Sequence, residues 1–294
     1  MNAPTIGRLR VKGATLHYEV RGQGPLLLLI PGGTGGAASF DDVAEDLAAE
    51  YTVATYDPRG MSRSTLDDPE AEQHVAEHAD DALQLLDLLS PDAPARVFGA
   101  SSGAIVALHL LTAHPARVER VAAHEPPAVE VLPDAQQHRA LIARVELAFS
   151  TQGLMPAMAV FAAGLKRDGD TAEPQPEVKL PPRAAGRAEQ TMANLPFFVG
   201  RIVPSFMSYV PDVDRLAALA DRLVLACGQD SRGELPYRPA ALLAEHLGTE
   251  LRHFPGGHIG LTTHPAEFSE ALRNAFRAGS RVRPALVGHS EGDR

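Results

Sequence analysis

A serine between two glycines offers the clearest chemistry in this sequence. Ser101 is the centre of a G-x-S-x-G motif that spans residues 99–103. A short apolar run ending at Phe98 precedes the motif, and an Ala/Leu-rich helical pattern follows it at once. Strand, sharp turn and helix around such a motif are typical of a nucleophile elbow, which lifts the serine hydroxyl above the edge of a sheet. The glycines at both ends let the strand and the helix approach each other closely. We therefore predict that Ser101 is a nucleophile.

A serine hydroxyl becomes a strong nucleophile only when a base takes its proton, and a carboxylate must orient that base. Enzymes with this elbow carry the nucleophile, the acid and the histidine in that order along the chain. His258 fits this order, because it follows the last predicted strand and two glycines. His124 comes too early, whereas His246 and His253 fall within a predicted helix and a predicted strand. We predict that His258 is the base.

Two carboxylates are candidates for the acid. Asp230 follows the predicted strand that ends at Cys227, which is a usual place for this group, but it stands two rather than three residues after Gly228. Glu125 closes the strand after the elbow helix and is followed by two prolines that stiffen its backbone. Spacing alone leaves the choice open.

The oxyanion of an acyl-transfer reaction needs two backbone N–H groups aimed at it. The residue after the nucleophile, Ser102, is expected to give one of them. The other should come from the glycine-rich loop (residues 31–36), where Gly33 is the best position and Thr34 the second choice. A phosphate-binding loop is the competing interpretation, but the Gly-Lys-Ser/Thr ending and the G-x-G-x-x-G spacing are both missing.

Composition limits the class of protein. The chain has 294 residues, of which 45% are hydrophobic, so it can bury a full core. Its net charge of −10 argues against a nucleic-acid partner. The single cysteine, Cys227, lies in an apolar run and is expected to be buried. No residues show metal-ligand spacing, so neither a metal nor another cofactor is expected.

The N-terminal residues and the apolar runs bear on cell location. The first residues lack the form of a signal peptide, and the longest apolar run (residues 26–30) is too short to span a bilayer. We expect a cytoplasmic protein without a membrane partner. Oligomeric state does not follow from the sequence, and a homodimer is compatible with it.

Apolar runs and helical patterns alternate along most of the chain, which predicts an α/β fold with a mostly parallel sheet flanked by helices. Residues 8–21 predict an antiparallel edge hairpin. Buried strands are predicted at 25–30, 51–56, 118–123, 222–227 and 249–254, with helices at 74–89, 237–246 and 265–276.

The pattern changes between residues 128 and 212, where helices are predicted at 137–149, 153–165 and 184–194. We expect a helical cap over 128–212, a core formed by 1–127 and 213–277, and a polar tail over 278–294. The cap carries soft apolar residues that could line a ligand pocket: Leu154, Met155, Met158, Phe161, Phe197, Phe198, Phe206, Met207 and Tyr209.

With these residues assembled, the chain resembles the α/β-hydrolase superfamily over nearly its whole length. Within it, four segments are similar to the zearalenone hydrolase (lactonase) group: residues 60–64, 99–104, 124–127, and 255–258 with 264–265. In that group the acid is a glutamate that closes the strand after the elbow helix, so the resemblance implies Glu125 as the acid, with Asp230 as the fallback. It also implies Gly33 in the oxyanion hole. The cap differs from that of the group, and this chain lacks the tryptophan that lines those lactonase pockets.

The expected function is hydrolysis of an ester or lactone of a hydrophobic small molecule through an acyl-enzyme, with a zearalenone-type lactone among the candidate substrates. One alternative is a lyase, cyclase or acyltransferase of secondary metabolism on the same fold. Another is a binding protein that retained the pocket. Epoxide hydrolases and dehalogenases are disfavoured, because both need an aspartate where Ser101 stands.

Overall fold

A nine-stranded sheet forms the centre of the protein. The computed structural model describes residues 3–165 and 187–277. The sheet order is β1-β2-β4-β3-β6-β7-β8-β9, and β5 pairs with β2. The strands are β1 (Thr5–Val11), β2 (Ala14–Arg21), β3 (Leu26–Ile30), β4 (Thr52–Tyr56), β5 (Thr65–Leu66), β6 (Ala95–Ala100), β7 (Val118–His124), β8 (Leu223–Gly228) and β9 (Leu251–Phe254).

The central strands run parallel, and the antiparallel pairs are at one edge. Strand β2 is antiparallel to β1, β4 and β5, whereas β4, β3, β6, β7, β8 and β9 pair in parallel. All five residues of β3 are buried, as expected for a strand covered by helices on both faces. The carboxyl ends of the parallel strands therefore meet at one edge of the sheet.

Eleven α-helices lie in the described part of the chain. Those that flank the sheet are α1 (Asp41–Leu47), α2 (Val75–Leu89), α3 (Ser102–Ala113), α8 (Val213–Ala218), α9 (Tyr237–His246), α10 (Gly260–Thr263) and α11 (Pro265–Arg277). Those between β7 and α8 are α4 (Ala135–Gln152), α5 (Leu154–Leu165), α6 (Ala188–Phe197) and α7 (Val203–Met207), and a π-helical turn (Phe198–Ile202) joins the last two.

Apolar side chains bury both faces of the sheet. Buried residues of α2, α3 and α9 pack on one face, and buried residues of α1 and α11 pack on the other. Burial of apolar surface on this scale is the main stabilising contribution to such a fold. The helices between β7 and α8 form a separate cluster that includes Ile142, Val145, Val199 and Met207. This cluster identifies the helical insert as a cap.

The predicted fold class is confirmed, and most predicted elements occur within two residues of their expected ends. Four short elements were not predicted: β5, α7, α8 and α10. Each has six residues or fewer, which is too short for a hydrophobic period to be visible. Residues 166–186, including the start of the predicted 184–194 helix, and the predicted tail at 278–294 lie outside the described residues. The domain boundaries stay predictions.

No helix of the described residues is both long enough and apolar enough to cross a membrane.

Candidate active site

Ser101 occupies the sharp turn between β6 and α3. Its backbone has φ 53° and ψ −122°, a conformation that costs energy for a residue other than glycine. The flanking glycines make the turn possible. A Cβ on Gly99 would lie 2.3 Å from the carbonyl oxygen of Gly103, and a Cβ on Gly103 would lie 2.4 Å from that of Ile30. The local sequence therefore builds the elbow that its motif predicts.

The elbow is tied to the end of the neighbouring strand. The Ser101 N–H donates to the carbonyl oxygen of His124 at 2.9 Å, so Ser101 and the residue that follows His124 lie at the same edge of the sheet. That residue is Glu125, which is fully buried. Its N–H continues the sheet by donating to the carbonyl oxygen of Ala226 on β8 at 2.9 Å.

The Glu125 carboxylate contacts His258. The distance from His258 Nδ1 to Glu125 Oε2 is 2.5 Å, and the other carboxylate oxygen accepts the N–H of Gly228 at 2.8 Å. The imidazole is partly exposed, with 33% of its side-chain surface accessible. The structure therefore brings together two of the residues predicted from the sequence, across 133 positions of the chain.

The electrostatics of this pair determine the histidine tautomer. Burial raises the pKa of Glu125, but the hydrogen bonds from His258 and from the Gly228 N–H, together with the neighbouring imidazoles, outweigh burial and hold that pKa below its ordinary value. The carboxylate is thus ionised at neutral pH and can only accept hydrogen bonds. Nδ1 of the neutral imidazole must therefore carry the proton, which leaves Nε2 with a free lone pair. An imidazole in this state can accept a proton at Nε2.

Asp230, the fallback acid, is exposed and lies just after β8. Its N–H donates to the carbonyl oxygen of Gly256 at 3.1 Å, which helps to fix the loop that carries His258. The carboxylate that meets His258 Nδ1 is that of Glu125.

The glycine-rich loop packs directly on the elbow. The N–H of Gly35 donates to the carbonyl oxygen of Gly32 at 2.9 Å, which closes a four-residue turn. Gly33 is the second residue of this turn and has φ +58°, a region that glycine adopts without strain. A Cβ on Gly32 would lie 2.1 Å from the carbonyl oxygen of Ala100. The turn therefore lies against the backbone that carries Ser101.

The N–H of Gly33 has a partner that sequence reasoning missed. It donates to the Oγ of Ser102 at 3.0 Å. Ser102 was expected to contribute a backbone N–H, and as the first residue of α3 its N–H has no acceptor within the helix. Ser102 therefore contacts the glycine-rich loop through its side chain.

A cap residue also contacts this loop. The amide of Asn194, on α6, donates from Nδ2 to the carbonyl oxygen of Thr34 at 2.9 Å. A lone asparagine in a helical stretch carries no catalytic pattern, so nothing in the sequence singled it out. The contact appears only when the cap is folded onto the core.

A small cavity of about 10 Å³ lies beside the glycine-rich loop, with room for about one water molecule. The loop and the elbow form one side of it, and Phe206 of the cap and His78 of α2 are among the residues of the other. Phe206 is one of the apolar cap residues predicted to line a pocket. Met155 is another, but 67% of its surface is exposed.

His124, next to Glu125, is buried and uncharged at neutral pH. Burial is the main reason that its pKa is lowered to about 4; Glu125 opposes this shift and His258 adds to it. Its ring lies 5.3 Å from the ring of Phe268, between centroids, and both ring nitrogens have no hydrogen-bond partner among the described residues. The neutral His124 ring thus packs against Phe268 as an apolar aromatic side chain would, directly before Glu125 in the chain.

Within residues 3–165 and 187–277, no three His, Cys, Asp or Glu side chains come together in a way that could hold a metal ion.

Comparison with known proteins bears on the fold. A sequence model described as the alpha/beta hydrolase fold matches residues 25–265. The chain belongs to the α/β-hydrolase family. A protein of Bacillus subtilis (strain 168) named "Uncharacterized hydrolase YraK" is 36% identical over 275 residues, which cover 91% of this chain and 94% of that protein. A zearalenone hydrolase of Bionectria ochroleuca is also 36% identical, but over 121 residues, covering 39% of this chain and 44% of that protein.

Solved structures of α/β-hydrolases resemble the fold over most of the chain. An esterase from Thermogutta terrifontis matches with a TM-score of 0.72 and 20% identity, covering 92% of this chain and 98% of the other. The enol-lactonase from Burkholderia xenovorans LB400 matches with a TM-score of 0.69 and 19% identity, covering 92% and 100%. At these identities the likeness concerns the fold.

Proposed function

We propose that this α/β-hydrolase is a serine hydrolase that cleaves a carboxylic ester or lactone through an acyl-enzyme, with Ser101 as nucleophile, His258 as base and Glu125 as acid. The observation that carries the proposal is the 2.5 Å contact between His258 Nδ1 and the buried Glu125 carboxylate. It lies at the edge of the sheet where Ser101 is held in a strained turn. Such a histidine is oriented with Nε2 free, as a general base requires.

In the acylation step, His258 Nε2 takes the proton of the Ser101 hydroxyl while its oxygen attacks the substrate carbonyl carbon. A tetrahedral oxyanion forms, and the backbone N–H groups of Ser102 and Gly33 stabilise it. The Gly33 N–H, which donates to Ser102 Oγ in the structure, is then shared between that oxygen and the oxyanion. Protonated His258 gives its proton to the departing alcohol, and the ionised Glu125 stabilises the imidazolium until then.

In the deacylation step, a water molecule loses a proton to His258 Nε2 and attacks the acyl-enzyme carbonyl. The same N–H groups stabilise the second oxyanion. Collapse of this intermediate breaks the bond to Ser101 Oγ, which regains its proton from His258. The products are a carboxylic acid and an alcohol, joined in one hydroxy acid when the substrate is a lactone.

A hydrophobic small molecule is the proposed substrate class. The space beside the elbow is apolar, with Tyr56, Met61, Val106, Ile202 and Phe206 among its lining residues. Its volume of about 10 Å³ is far below the 300–1,000 Å³ of ordinary ligand pockets. We therefore expect substrate entry to displace side chains between cap and core, with Phe206 among them.

The test is covalent labelling of Ser101 with a fluorophosphonate probe, followed by peptide mass analysis. We expect labelling at Ser101, and we expect Ser101→Ala to lose ester hydrolysis by about 10³-fold or more. The matched control is Ser150→Ala, because Ser150 is exposed on the cap and donates to its own helix. Labelling elsewhere, or full activity in Ser101→Ala, would contradict the mechanism.

Hydrolysis is separated from acyl transfer and from lyase chemistry by running the reaction in ¹⁸O-water. The proposed mechanism places one ¹⁸O atom in the carboxylate product. A panel of apolar esters and lactones serves as substrates, with zearalenone included because two matched relatives are named zearalenone hydrolases. Product without the heavy oxygen would favour one of the other reactions.

A further inference from the structure

Asn194 joins the cap to two loops of the core. Its Oδ1 accepts the N–H of Ser62 at 2.9 Å, and its Nδ2 donates to Ser62 Oγ and to the carbonyl oxygen of Thr34, both at 2.9 Å. The neighbours fix the orientation of the amide, because a backbone N–H only donates and a carbonyl oxygen only accepts. The side chain is buried, with 6% of its surface exposed, so water competes little for these bonds.

The contact with Thr34 completes the support of the glycine-rich loop. At the start of the loop, Gly33 N–H is held by Ser102 Oγ of the elbow at 3.0 Å. At its end, the N–H of Ala37 donates to the buried Asp57 carboxylate at 2.8 Å. Both of these anchors belong to the core. Thr34, in the middle, is held from the cap.

We infer that Asn194 is a positioning residue, which fixes from the cap the turn that presents the Gly33 N–H to the reaction. The inference rests on the proposed serine-hydrolase function. Thr34 is the third residue of the turn closed between Gly32 and Gly35, so holding its carbonyl oxygen fixes the plane of the next peptide and the tilt of the whole turn. If Thr34 N–H is the second oxyanion donor instead, Asn194 holds that residue directly.

The expected consequence is specific to the transition state. Donors of an oxyanion hole act on charge that develops only during the reaction, so a displaced donor lowers kcat more than it changes KM. A misplacement of about 1 Å costs up to about 10²-fold in rate. A residue that merely stabilised the cap would instead change the melting temperature and leave the kinetics of the folded protein intact.

The decisive variant is Asn194→Asp. It has nearly the same shape and keeps an acceptor for the Ser62 N–H, but at neutral pH it has no donor for Thr34. Asn194→Ala removes all three bonds and serves as the second variant. The matched control is Arg201→Gln, which removes another bond between cap and core, the ion pair of Arg201 with Glu70. The Glu70 side chain is 82% exposed, and this ion pair does not involve the glycine-rich loop.

Three quantities are measured with the full chain: kcat and KM on an activated ester, the melting temperature, and Ki for a trifluoromethyl ketone whose hemiketal oxyanion occupies the same donors. We expect Asn194→Asp to lose about 10- to 100-fold in kcat, with KM within about threefold, and Ki to rise in parallel with the loss in kcat/KM. Arg201→Gln should match the wild type in all three.

The inference is overturned if folded Asn194→Asp and Asn194→Ala match Arg201→Gln in kcat and Ki, or if both variants fail to fold, since Asn194 would then be a structural residue. Should the Asp variant alone fail to fold, the Ala variant decides by the same criteria. Failure of the proposed function looks different: a wild-type protein that neither labels at Ser101 nor hydrolyses the ester contradicts the function, and the inference falls with it.

Discussion

The two oxygens of the Glu125 carboxylate have different partners. One accepts the Gly228 N–H at 2.8 Å and fixes the carboxylate to the end of β8, and the other receives the His258 N–H at 2.5 Å. Hydrogen bonds to a buried, ionised acceptor are stronger than those between neutral groups. The imidazole is therefore held in one orientation and one tautomer by a group that is itself immobile.

Replacing Glu125 by Gln should preserve the shape of this contact and reverse its polarity. The amide carbonyl can still accept the Gly228 N–H, and the NH₂ group then faces His258 Nδ1. The histidine must move its proton to Nε2, where the base needs a lone pair. We expect kcat on an activated ester to fall by about 10³- to 10⁴-fold, while the protein remains folded by circular dichroism.

Asp230→Asn is the comparison, since Asp230 was the other candidate acid. Its side chain is exposed, and we expect kcat to stay within about threefold of wild type, as surface changes usually leave a site intact. A larger loss in Asp230→Asn than in Glu125→Gln would transfer the role to Asp230.

The residues of the candidate site differ in how far the sequence alone predicts them. Ser101 and His258 follow from motif and order, because the elbow needs glycines at fixed spacing and the base needs a loop after the last strand. Glu125 and Asp230 could not be separated by spacing, since both follow strands that end at the same edge of the sheet. Asn194 and the hydroxyl of Ser102 could not be found, because their contacts depend on how a cap helix and a turn meet in three dimensions.

At the scale of elements, the elbow depends on contact between backbones. A Cβ on Gly103 would lie 2.4 and 2.5 Å from the carbonyl oxygens of Ile30 and Pro31, and neither atom can rotate away as the end of a side chain could. We expect Gly103→Ala to lower the free energy of unfolding by about 3 kcal/mol, the upper end of the usual cost of overpacking, because the contacts are with backbone atoms. Urea unfolding measures the loss.

Gly33→Ala is the control for this prediction. Nothing lies within 4 Å of a Cβ at Gly33, so the substitution creates no steric clash. Its only expected cost is the backbone strain of alanine at a φ of +58°. That cost is about 1–2 kcal/mol for a residue other than glycine. Equal losses in the two variants would show that the elbow relaxes around the added methyl group.

Long elements were predictable because each carries its own pattern. The five apolar residues of β3 and the helical spacing of α9 and α11 each contain enough residues for their period to be read. Short elements such as β5 and α10 form because of tertiary contacts, so no local pattern marks them. The pairing of β2 with β4 rather than β3 likewise depends on the whole sheet.

At the scale of the whole molecule, buried uncharged histidines couple stability to pH. Burial lowers the pKa of His78 to about 3 and that of His124 to about 4, whereas a histidine in the unfolded chain titrates near 6.5. Between these values the unfolded state binds more protons than the folded state. Stability therefore falls as pH falls from about 6.5 towards 4, by about 1.4 kcal/mol per pH unit for each such histidine.

Glu125 affects stability at a lower pH than the two histidines do. Its pKa in the folded protein is below the unfolded value of 4.5, so the stabilisation that it contributes is present above pH 4.5 and is lost as pH falls through the folded pKa. Measurements between pH 7 and pH 5 thus report mainly on the histidines, and the variant that isolates one of them is His124→Phe. The new ring can keep the ring contacts with Phe254 and Phe268, and no hydrogen bond of the described residues is lost.

We expect wild type to lose unfolding free energy between pH 7 and pH 5, and His124→Phe to lose about 2 kcal/mol less. Urea unfolding at the two pH values measures the difference. His246→Gln is the control, because His246 is exposed at the end of α9 and its replacement should leave the difference as in wild type. If His124→Phe retains the full wild-type loss, His124 titrates in the folded protein as it does in the unfolded chain, and burial behind Glu125 does not keep it neutral.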